Sequence, residues 1–475
     1  MNRTTVAERK QGAGLLVVGV LLLASAAAGL VIPRLFDMAP KTQNFYGLLL
    51  FAALYGLGLL VRPGATLWIG MLAAVVFLSV TGFQYDVRVH SYLMVSALDC
   101  LLLSLVAVLV LRKAQAPAWG SHLPAIRRAL KLFVAFLPIG VAISLWRGVD
   151  PIEIAALTKS FYFPLLFLYA VPRIITTRRR LAIIIVLALT LALVAGARSR
   201  IEGPPLDQRL ANPHMSTSAY ERSYGSWATP NPFANYLLFA ALVPMAFALR
   251  LSRPVQAVAA GTAAAVAGWA ILGTFTRGAW LAGLCGAVFL AVSDRIQKLV
   301  IIVVCVAVLV SILPDAVHNR ATSYTDSSAQ NRLRLWRTGW AVTQKYPVLG
   351  AGWGSNFMLV DQVPIPIGGP PWWHNDYLIV SSQVGLTGLA VYLSLWVAII
   401  RAGVRSARAT SDAFYRPLIF GLTASLVATL TAAFFEHVLW RFDAGPHNWF
   451  LVSCLITAIV LSRSQAKESL GVRDA

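Results

Sequence analysis

One histidine of this sequence lies where it could act as a general base. His374 is in the polar stretch that closes the longest loop, directly before about two dozen largely apolar residues that can form a membrane span. An imidazole at such a border can titrate near neutral pH while it faces a substrate held in the membrane. Asn375 or Asp376 can cap the following helix and so fix the direction of the ring. The alternative is that His374 belongs to a belt of aromatic residues at the membrane surface.

Two arginines could bind an anion near the same surface. Arg277 stands between two apolar runs with almost no loop, and the run that follows is only about 21 Å long as a helix. Its charge is therefore expected at or below the membrane surface, where it needs an anionic partner or water. The alternative is that it reaches out to lipid headgroups. Arg222 precedes Asn231-Pro232, which resembles a helix start with Asn231 as the N-cap. Arg222 is either held at that helix start or an ordinary solvated loop residue.

A basic segment with tryptophans lies in the longest loop. Arg332, Trp336 and Trp340 follow one another at intervals of four residues, which places them on one face of a helix. Such a helix could lie on anionic lipid. It could also line a groove for sugars, because aromatic side chains stack on pyranose rings.

Metal and nucleotide chemistry lack their usual motifs in this sequence. No Asp-x-Asp or Glu-x-Asp occurs, and the glycine-rich run 347–354 is not followed by Gly-Lys-Ser or Gly-Lys-Thr, so this run is predicted to form turns. Five histidines and carboxylates lack zinc-motif spacing: His374, Glu436, His437, Asp443 and His447. We predict no metal and no other cofactor, although folding could still bring some of these side chains together.

The elements that must position these residues are membrane helices. The 475-residue chain is 58% hydrophobic and only 12% charged, which predicts an all-α polytopic membrane protein. Its net charge of +21 does not indicate binding to nucleic acid, because the basic residues form short clusters between apolar runs. All four cysteines lie within apolar runs, so they are predicted to be packing residues.

Apolar runs that can cross a hydrocarbon core of about 30 Å predict roughly twelve to fourteen membrane helices. The candidates lie near 13–32, 44–61, 66–81, 91–111, 129–146, 152–171, 181–197, 231–249, 255–275, 278–292, 299–314, 376–400, 417–435 and 448–462. The run at 278–292 is short for a span. No half-to-half repeat and no matched pair of broken helices is evident, which counts against the common transporter architectures.

Positively charged loops predict the orientation of these helices. Every short, strongly basic loop falls on the side that also contains both chain ends, and such loops stay in the cytoplasm. Both termini are therefore predicted to be cytoplasmic, with the loops 198–230, 315–375 and 434–447 on the outer face, where function is expected. We divide the chain into N-terminal membrane helices (1–197), a catalytic core with two long outer loops (198–400), and C-terminal helices with a cytoplasmic tail (401–475).

Two charged residues within predicted spans are expected to pair. Asp99 and Lys159 lie at similar depths in their spans, and an isolated charge at such a depth is costly. We predict an ion pair that joins the two helices.

The order of these segments resembles the O-antigen ligase and polymerase superfamily over about residues 220–390. The matching segments are Arg222, Pro230-Asn231-Pro232-Phe233-Ala234, Thr276-Arg277-Gly278-Ala279-Trp280, Arg332-x3-Trp336, Pro347-x2-Gly350-x-Gly352, His374-Asn375-x-Tyr377-Leu378 and Gly385-x2-Gly388. The family usually has serine where this chain has Thr276, a change that keeps the hydroxyl group.

The resemblance implies an inverting, metal-independent glycosyltransferase of the GT-C type, with a helical loop domain in the periplasm, in a bacterial inner membrane. Its donor would be a glycan on undecaprenyl pyrophosphate and its acceptor lipid A–core, as in an O-antigen ligase. In that interpretation His374 takes the proton of the acceptor hydroxyl, while Arg222 and Arg277 bind the pyrophosphate. Further substrate contacts are expected from Asn231, Arg332, Trp336, Asn375 and Tyr377.

Two other functions remain open at this point. A polymerase of O-antigen or exopolysaccharide would use the same donor but would extend another undecaprenyl-linked chain. A flippase for lipid-linked glycans would need polar residues spread along its spans, whereas the unexplained charges of this chain gather on the outer face.

Overall fold

The computed structural model describes Tyr55, Gly58 and residues 63–79, 87–88, 94–114, 123–202, 216–217, 220–223, 225, 227, 229–294, 327–355, 373–441 and 444–469. Within these ranges the protein is all-α, as predicted, with thirteen α-helices. They are α1 Pro63–Ser79, α2 Ala97–Leu111, α3 Pro124–Trp146, α4 Pro151–Tyr162, α5 Leu166–Ile174, α6 Arg178–Glu202, α7 Pro230–Ala248, α8 Pro254–Gly273, α9 Arg277–Asp294, α10 Ser327–Lys345, α11 Asp376–Ala409, α12 Tyr415–Ala432 and α13 Gly445–Ser469.

Three short elements connect these helices. A 3₁₀ turn, Phe163–Leu165, joins α4 to α5. Two antiparallel ladders have two residues in each strand: β1 Val87–Arg88 with β2 Met94–Val95, and β3 Ser216–Thr217 with β4 Tyr220–Glu221.

Seven helical segments of the described ranges are long and apolar enough to cross a membrane. They are Pro124–Trp146, Pro151–Ile174, Arg178–Ile201, Pro230–Ala248, Pro254–Gly273, Asp376–Ala409 and Gly445–Ala466. The prediction of a polytopic membrane protein is confirmed. The predicted spans 13–32 and 299–314, and 44–61 apart from Tyr55 and Gly58, lie outside the described residues.

Several predicted spans differ from the observed helices, as three examples show. The span predicted at 91–111 begins only at Ala97, because Ser96 forms a capping box with Asp99. The span predicted at 152–171 is interrupted by the 3₁₀ turn at Phe163–Leu165. The span predicted at 417–435 ends at Ala432, and this leaves Glu436 in the loop that follows.

The helix α7 is central to the bundle. Fifteen of its nineteen residues are buried, because it is apolar on nearly every face. It packs against α6, α8, α9 and α12, and α12 also packs against α11 and α13. The starts of α7, α9 and α11 meet the ends of α8 and α12 at one end of the bundle.

A glycine-rich turn docks into a break in α11. Gly385 leaves the helical conformation with a φ of 73°, and the N–H of Leu386 donates to the carbonyl oxygen of Pro347 at 2.7 Å. A Cβ on Gly350, whose own φ is 76°, would overlap the backbone of Gln383. The run 347–354 therefore forms turns, as predicted, and its glycines allow direct contact between two backbones.

The predicted ion pair between Asp99 and Lys159 is confirmed. Lys159 Nζ lies 2.5 Å from Asp99 Oδ2, with side chains 26% and 11% exposed, respectively. The pair joins α4 to the first turn of α2.

Candidate active site

A buried carboxylate connects four segments of the chain. Glu436 lies in the loop between α12 and α13 and is 5% exposed. Its Oε1 lies 2.6 Å from His374 Nδ1 and 2.8 Å from His437 Nδ1. Its Oε2 accepts a hydrogen bond from Asn231 Nδ2 at 2.7 Å and lies 3.6 Å from Arg332 Nη2. Side chains from α7, α10 and two loops thus converge on one carboxylate.

The surroundings of Glu436 favour its ionised form. Burial by itself raises the pKa of Glu436, but the neighbouring His374 and His437 outweigh burial and hold that pKa well below its ordinary value. Burial lowers the pKa of His437, and the hydrogen bond to Glu436 opposes this only in part. His437 is therefore neutral at neutral pH, beside a charged carboxylate.

His374 is held so that one ring nitrogen is left for chemistry. Because Glu436 is ionised, His374 Nδ1 donates to it, and in the neutral imidazole Nε2 has the lone pair. The side chain is 33% exposed and the backbone has a φ of 47°, a conformation that costs about 1–3 kcal/mol and occurs preferentially at functional sites. Trp373 is buried and donates to Ser382 Oγ, so this tryptophan is not part of a belt that faces lipid.

The residues after His374 fasten the start of α11. Asn375 Oδ1 accepts hydrogen bonds from the N–H groups of Tyr377 and Leu378 at 3.0 and 3.1 Å, and this confirms the predicted N-cap. Asp376 is fully buried, and its Oδ2 accepts from the N–H groups of Val438 and Leu439 at 3.2 and 3.0 Å. Asp376 therefore ties His374 to the loop that contains Glu436.

Arg222 joins the same cluster through α7 and the turn before α9. Its Nε donates to the carbonyl oxygen of Thr274 at 2.9 Å. Its Nη2 donates to Asn231 Oδ1 at 3.0 Å and to Thr276 Oγ1 at 3.1 Å. Phe275, between the two threonines, has a φ of 50°, a second strained backbone at this site. Arg222 is thus held at the helix start rather than solvated in a loop.

The role predicted for Asn231 as an N-cap is wrong. The helix α7 begins at Pro230, and Thr229 occupies the cap position without a side-chain hydrogen bond. Asn231 lies inside the first turn, where its amide accepts from Arg222 and donates to Glu436. It connects the arginine to the carboxylate.

Arg277 is the first residue of α9 and lies at the edge of a cleft. Its chain neighbours Thr276 and Gly278 both line this cleft. A Cβ on Gly278 would lie 2.9 Å from Phe435 Cβ, so glycine allows α9 to approach the loop after α12. Arg277 as a whole residue is half-buried.

This cleft is small and opens at the protein surface. Its lining includes Asn231, Asn235, Thr276, Arg332 and Glu436. Asn235 Nδ2 donates to Asn448 Oδ1 at 3.3 Å, while Asn235 Oδ1 is buried and has no hydrogen-bond partner among the residues the structure describes. The cleft thus offers a guanidinium group, a carboxylate, a hydroxyl group and amides to a ligand.

The remaining predicted residues lie around this cluster. Trp336 has its ring centroid 6.3 Å from that of Phe435, on the face of α10 that also contains Arg332, whereas Trp340 is 49% exposed. Tyr377 donates its hydroxyl hydrogen to the carbonyl oxygen of Leu430 at 2.7 Å. That hydroxyl ties α11 to α12.

Sequence patterns did not indicate four residues of the candidate site: Glu436, His437, Asn235 and Asp376. Glu436 lies 62 positions after His374, and no motif has this spacing. The available signal was the pair Glu436-His437 in a predicted outer loop directly after an apolar run, on the same side as His374.

His374, Glu436 and His437 could also be considered as metal ligands. Their three ligand atoms lie within 4.8 Å of one another. Ligand atoms around a tetrahedral zinc ion, at about 2.0–2.1 Å from it, lie about 3.3 Å apart. The contacts of Glu436 Oε1 with the two histidines, at 2.6 and 2.8 Å, are hydrogen-bond distances instead. The geometry fits a hydrogen-bonded cluster better than a metal centre.

Together the helices and this cluster define a multi-pass α-helical membrane protein with a charged cleft at one end of its bundle. Residues 262–393 match a family model described as O-antigen ligase. Over 154 residues the chain is 30% identical to an O-antigen ligase of Salmonella typhimurium (strain LT2). That alignment covers 28% of this chain and 36% of the relative, so the chain spans about a third of the length of this curated protein. The resemblance to the O-antigen ligase superfamily is confirmed for this region.

The matched region includes only part of the site. Arg277, Arg332 and His374 lie within residues 262–393, whereas Arg222 and Glu436 lie outside them. The likeness and the cluster are thus partly independent observations.

Proposed function

We propose that this protein is an inverting glycosyltransferase that moves an O-antigen glycan from undecaprenyl pyrophosphate to a hydroxyl group of lipid A–core. The observation that supports this proposal most is the convergence of His374 with Asn231 and Arg332 on Glu436. Arg332 and Glu436 line the cleft, and His374 contacts the same carboxylate.

In the proposed reaction His374 is the general base. Its Nε2 accepts the proton of the acceptor hydroxyl as that oxygen attacks the anomeric carbon of the donor sugar. The new glycosidic bond forms as the bond from this carbon to the pyrophosphate oxygen breaks, with inversion of configuration. A positioned base contributes about 10²–10⁴-fold in rate. Glu436 keeps Nδ1 protonated and stabilises the imidazolium ion that forms.

Arg222 and Arg277 would stabilise the charge that develops on the leaving pyrophosphate. Guanidinium groups are permanently charged and offer paired donors that suit phosphate oxygens. Each hydrogen bond to a charged group contributes roughly 1.5–3 kcal/mol. Thr276 Oγ1, which contacts Arg222 and Asn231, would add a hydroxyl group beside them.

The reaction is proposed to need no metal ion, because arginines take the place of a cation at the pyrophosphate. We expect purified protein treated with EDTA to keep its transfer rate, and added Mg²⁺ or Mn²⁺ to leave that rate unchanged. Loss of activity in EDTA with recovery on adding one of these ions would contradict this prediction.

The decisive experiment uses purified protein, undecaprenyl-pyrophosphate-linked glycan and lipid A–core. Transfer to the core supports a ligase, and elongation of the donor without core indicates a polymerase. If no glycosidic bond forms in either assay, the enzyme assignment is overturned. His374→Ala should abolish transfer while thermal unfolding in detergent stays close to wild type. Wild-type activity in this variant would remove His374 as the base.

A second substitution tests whether Arg277 binds the pyrophosphate through paired hydrogen bonds. Arg277→Lys keeps the charge but loses the paired donors, so it should lower kcat/KM for the donor at least tenfold. Arg334→Ala, an exposed arginine on α10, is a matched control that should retain wild-type kinetics. Equal kinetics for wild type and Arg277→Lys would argue against a bidentate contact.

A further inference from the structure

A third arginine lies next to the turn that Arg222 contacts. Arg200 is in the last turn of α6, and its guanidinium group lies over Gly273, the last residue of α8. A Cβ at position 273 would overlap the Arg200 side chain, with Nη1 at only 2.5 Å. The arginine therefore reaches this place only because residue 273 is glycine.

Arg200 lies over Gly273, and Arg222 binds the next residue, Thr274. The carbonyl oxygen of Gly273 accepts from the N–H of Ser223, and that of Thr274 accepts from Arg222 Nε, both at 2.9 Å. The Cα atoms of the consecutive residues Gly273 and Thr274 are about 3.8 Å apart. Thr276, two residues further, lines the cleft. Arg200 thus approaches the turn between α8 and α9 beside the cationic side of the site.

The charge of Arg200 is not neutralised by the described residues around it. Its Nε is buried without a hydrogen-bond partner among the described residues. Its guanidinium carbon lies 5.0 Å from the ring centroid of Trp269, a cation–π contact. The C-terminal ends of α6 and α8 favour a cation here. However, the positive charges of Arg200 and Arg222 repel each other at the edge of a low-dielectric medium unless an anion lies between them.

We propose that Arg200 is a third phosphate-binding residue, which contacts the pyrophosphate of the lipid-linked donor together with Arg222 and Arg277. This inference rests on the proposed function. It assigns Arg200 to donor binding rather than to proton transfer, because among the described residues its contacts are with Gly273 and Trp269 of α8 and not with His374.

The test measures binding of undecaprenyl pyrophosphate to full-length protein in phosphatidylcholine nanodiscs. Arg200→Ala should raise the Kd at least tenfold and Arg200→Lys should raise it less. The matched control is Arg198→Ala, two residues earlier in α6 and exposed, which should stay within twofold of wild type. In transfer assays Arg200→Ala should raise KM for the donor and leave kcat within threefold.

A second variant displaces Arg200 without removing it. Gly273→Ala should raise the Kd at least fivefold, because the new Cβ occupies the place of a flexible side chain, while alanine suits the end of a helix. Wild-type Kd in both Arg200→Ala and Gly273→Ala, with tight binding by wild type, would overturn the role of Arg200 alone. A difference between wild type and Arg200→Ala that appears only with phosphatidylglycerol present would assign Arg200 to phospholipid headgroups and also overturn it. No binding by wild type would overturn the proposed function itself.

Discussion

At the scale of single residues, Glu436 determines what His374 can do. An ionised carboxylate 2.6 Å from Nδ1 fixes the tautomer, and the same carboxylate accepts from Asn231, which accepts from Arg222. A displacement of Glu436 would therefore affect both the base and the anion-binding side.

The dyad of His374 and Glu436 predicts non-additive kinetics. Glu436→Gln keeps the shape but loses the charge, so kcat should fall by about 10²–10⁴-fold. If both residues act as one unit, the double variant with His374→Ala should be no slower than His374→Ala alone. Multiplication of the two single effects would show that Glu436 acts independently of the base.

His437 predicts how stability depends on pH. Its pKa is lowered in the folded protein by burial, so the unfolded chain binds more protons below its ordinary value of 6.5. This contribution is fully present above that pH and is lost as pH falls below it. The Tm in detergent should therefore drop between about pH 6.5 and 5, and His437→Gln should make that drop shallower. An identical drop in the variant would exclude His437 as a source.

The sequence predicted part of the site and missed the rest for a physical reason. Polar residues next to apolar runs are easily recognised in the sequence of a membrane protein. This is how the sequence indicated His374, Arg222, Arg277 and Arg332. Glu436 was not assigned to the site, because its role depends on contacts with residues that only folding brings close to it. Where a side chain is distant in sequence from its partners, neither periodicity nor spacing reveals the contact.

At the scale of elements, the break in α11 positions the site. The helix begins directly after His374, and its first part is fixed by the turn 347–354 on one side and by Asp376 on the other. Hydrophobic periodicity predicted the span at 376–400 but did not reveal the break at Gly385. The conformation of this glycine is imposed by a segment more than thirty positions earlier.

The contact between the two backbones predicts a sensitive glycine. Gly350→Ala forces a Cβ into the backbone of Gln383 at a positive φ, so it should destabilise the protein by at least about 1–3 kcal/mol and reduce transfer. Gly268→Ala in α8 is the matched control, because a Cβ there meets nothing within 4 Å and alanine favours a helix. Equal Tm values for both variants would contradict the docking of the turn.

At the scale of the whole molecule, the two ends of the helix bundle contain different sets of charged residues. The cleft lies where α7, α9 and α11 begin. Where α6 and α12 begin, Arg178 Nη1 contacts Asp412 Oδ2 at 2.9 Å, and Arg250 and Arg253 border the turn between α7 and α8. This distribution supports the proposal that the basic end is cytoplasmic and the cleft periplasmic.

Labelling of single cysteines tests this orientation. In a variant whose native cysteines are replaced, Arg334→Cys on α10 should react with a membrane-impermeant maleimide in intact cells whose outer membrane has been permeabilised. Asp412→Cys, between α11 and α12, should react only after the inner membrane is opened. The reverse pattern would place the cleft in the cytoplasm and end the proposed ligase function.

The position of Glu436 late in the chain has a consequence for biosynthesis. During translation, α7, α9 and the start of α11 are made before α12 and α13 exist, so the histidine lacks its carboxylate until the loop between these last two helices has formed. A nascent or prematurely terminated polypeptide is therefore expected to be inert toward the carrier lipid. Activity would then appear only after the last two helices are in place. Unfinished chains would not consume the lipid-linked donor of the proposed reaction.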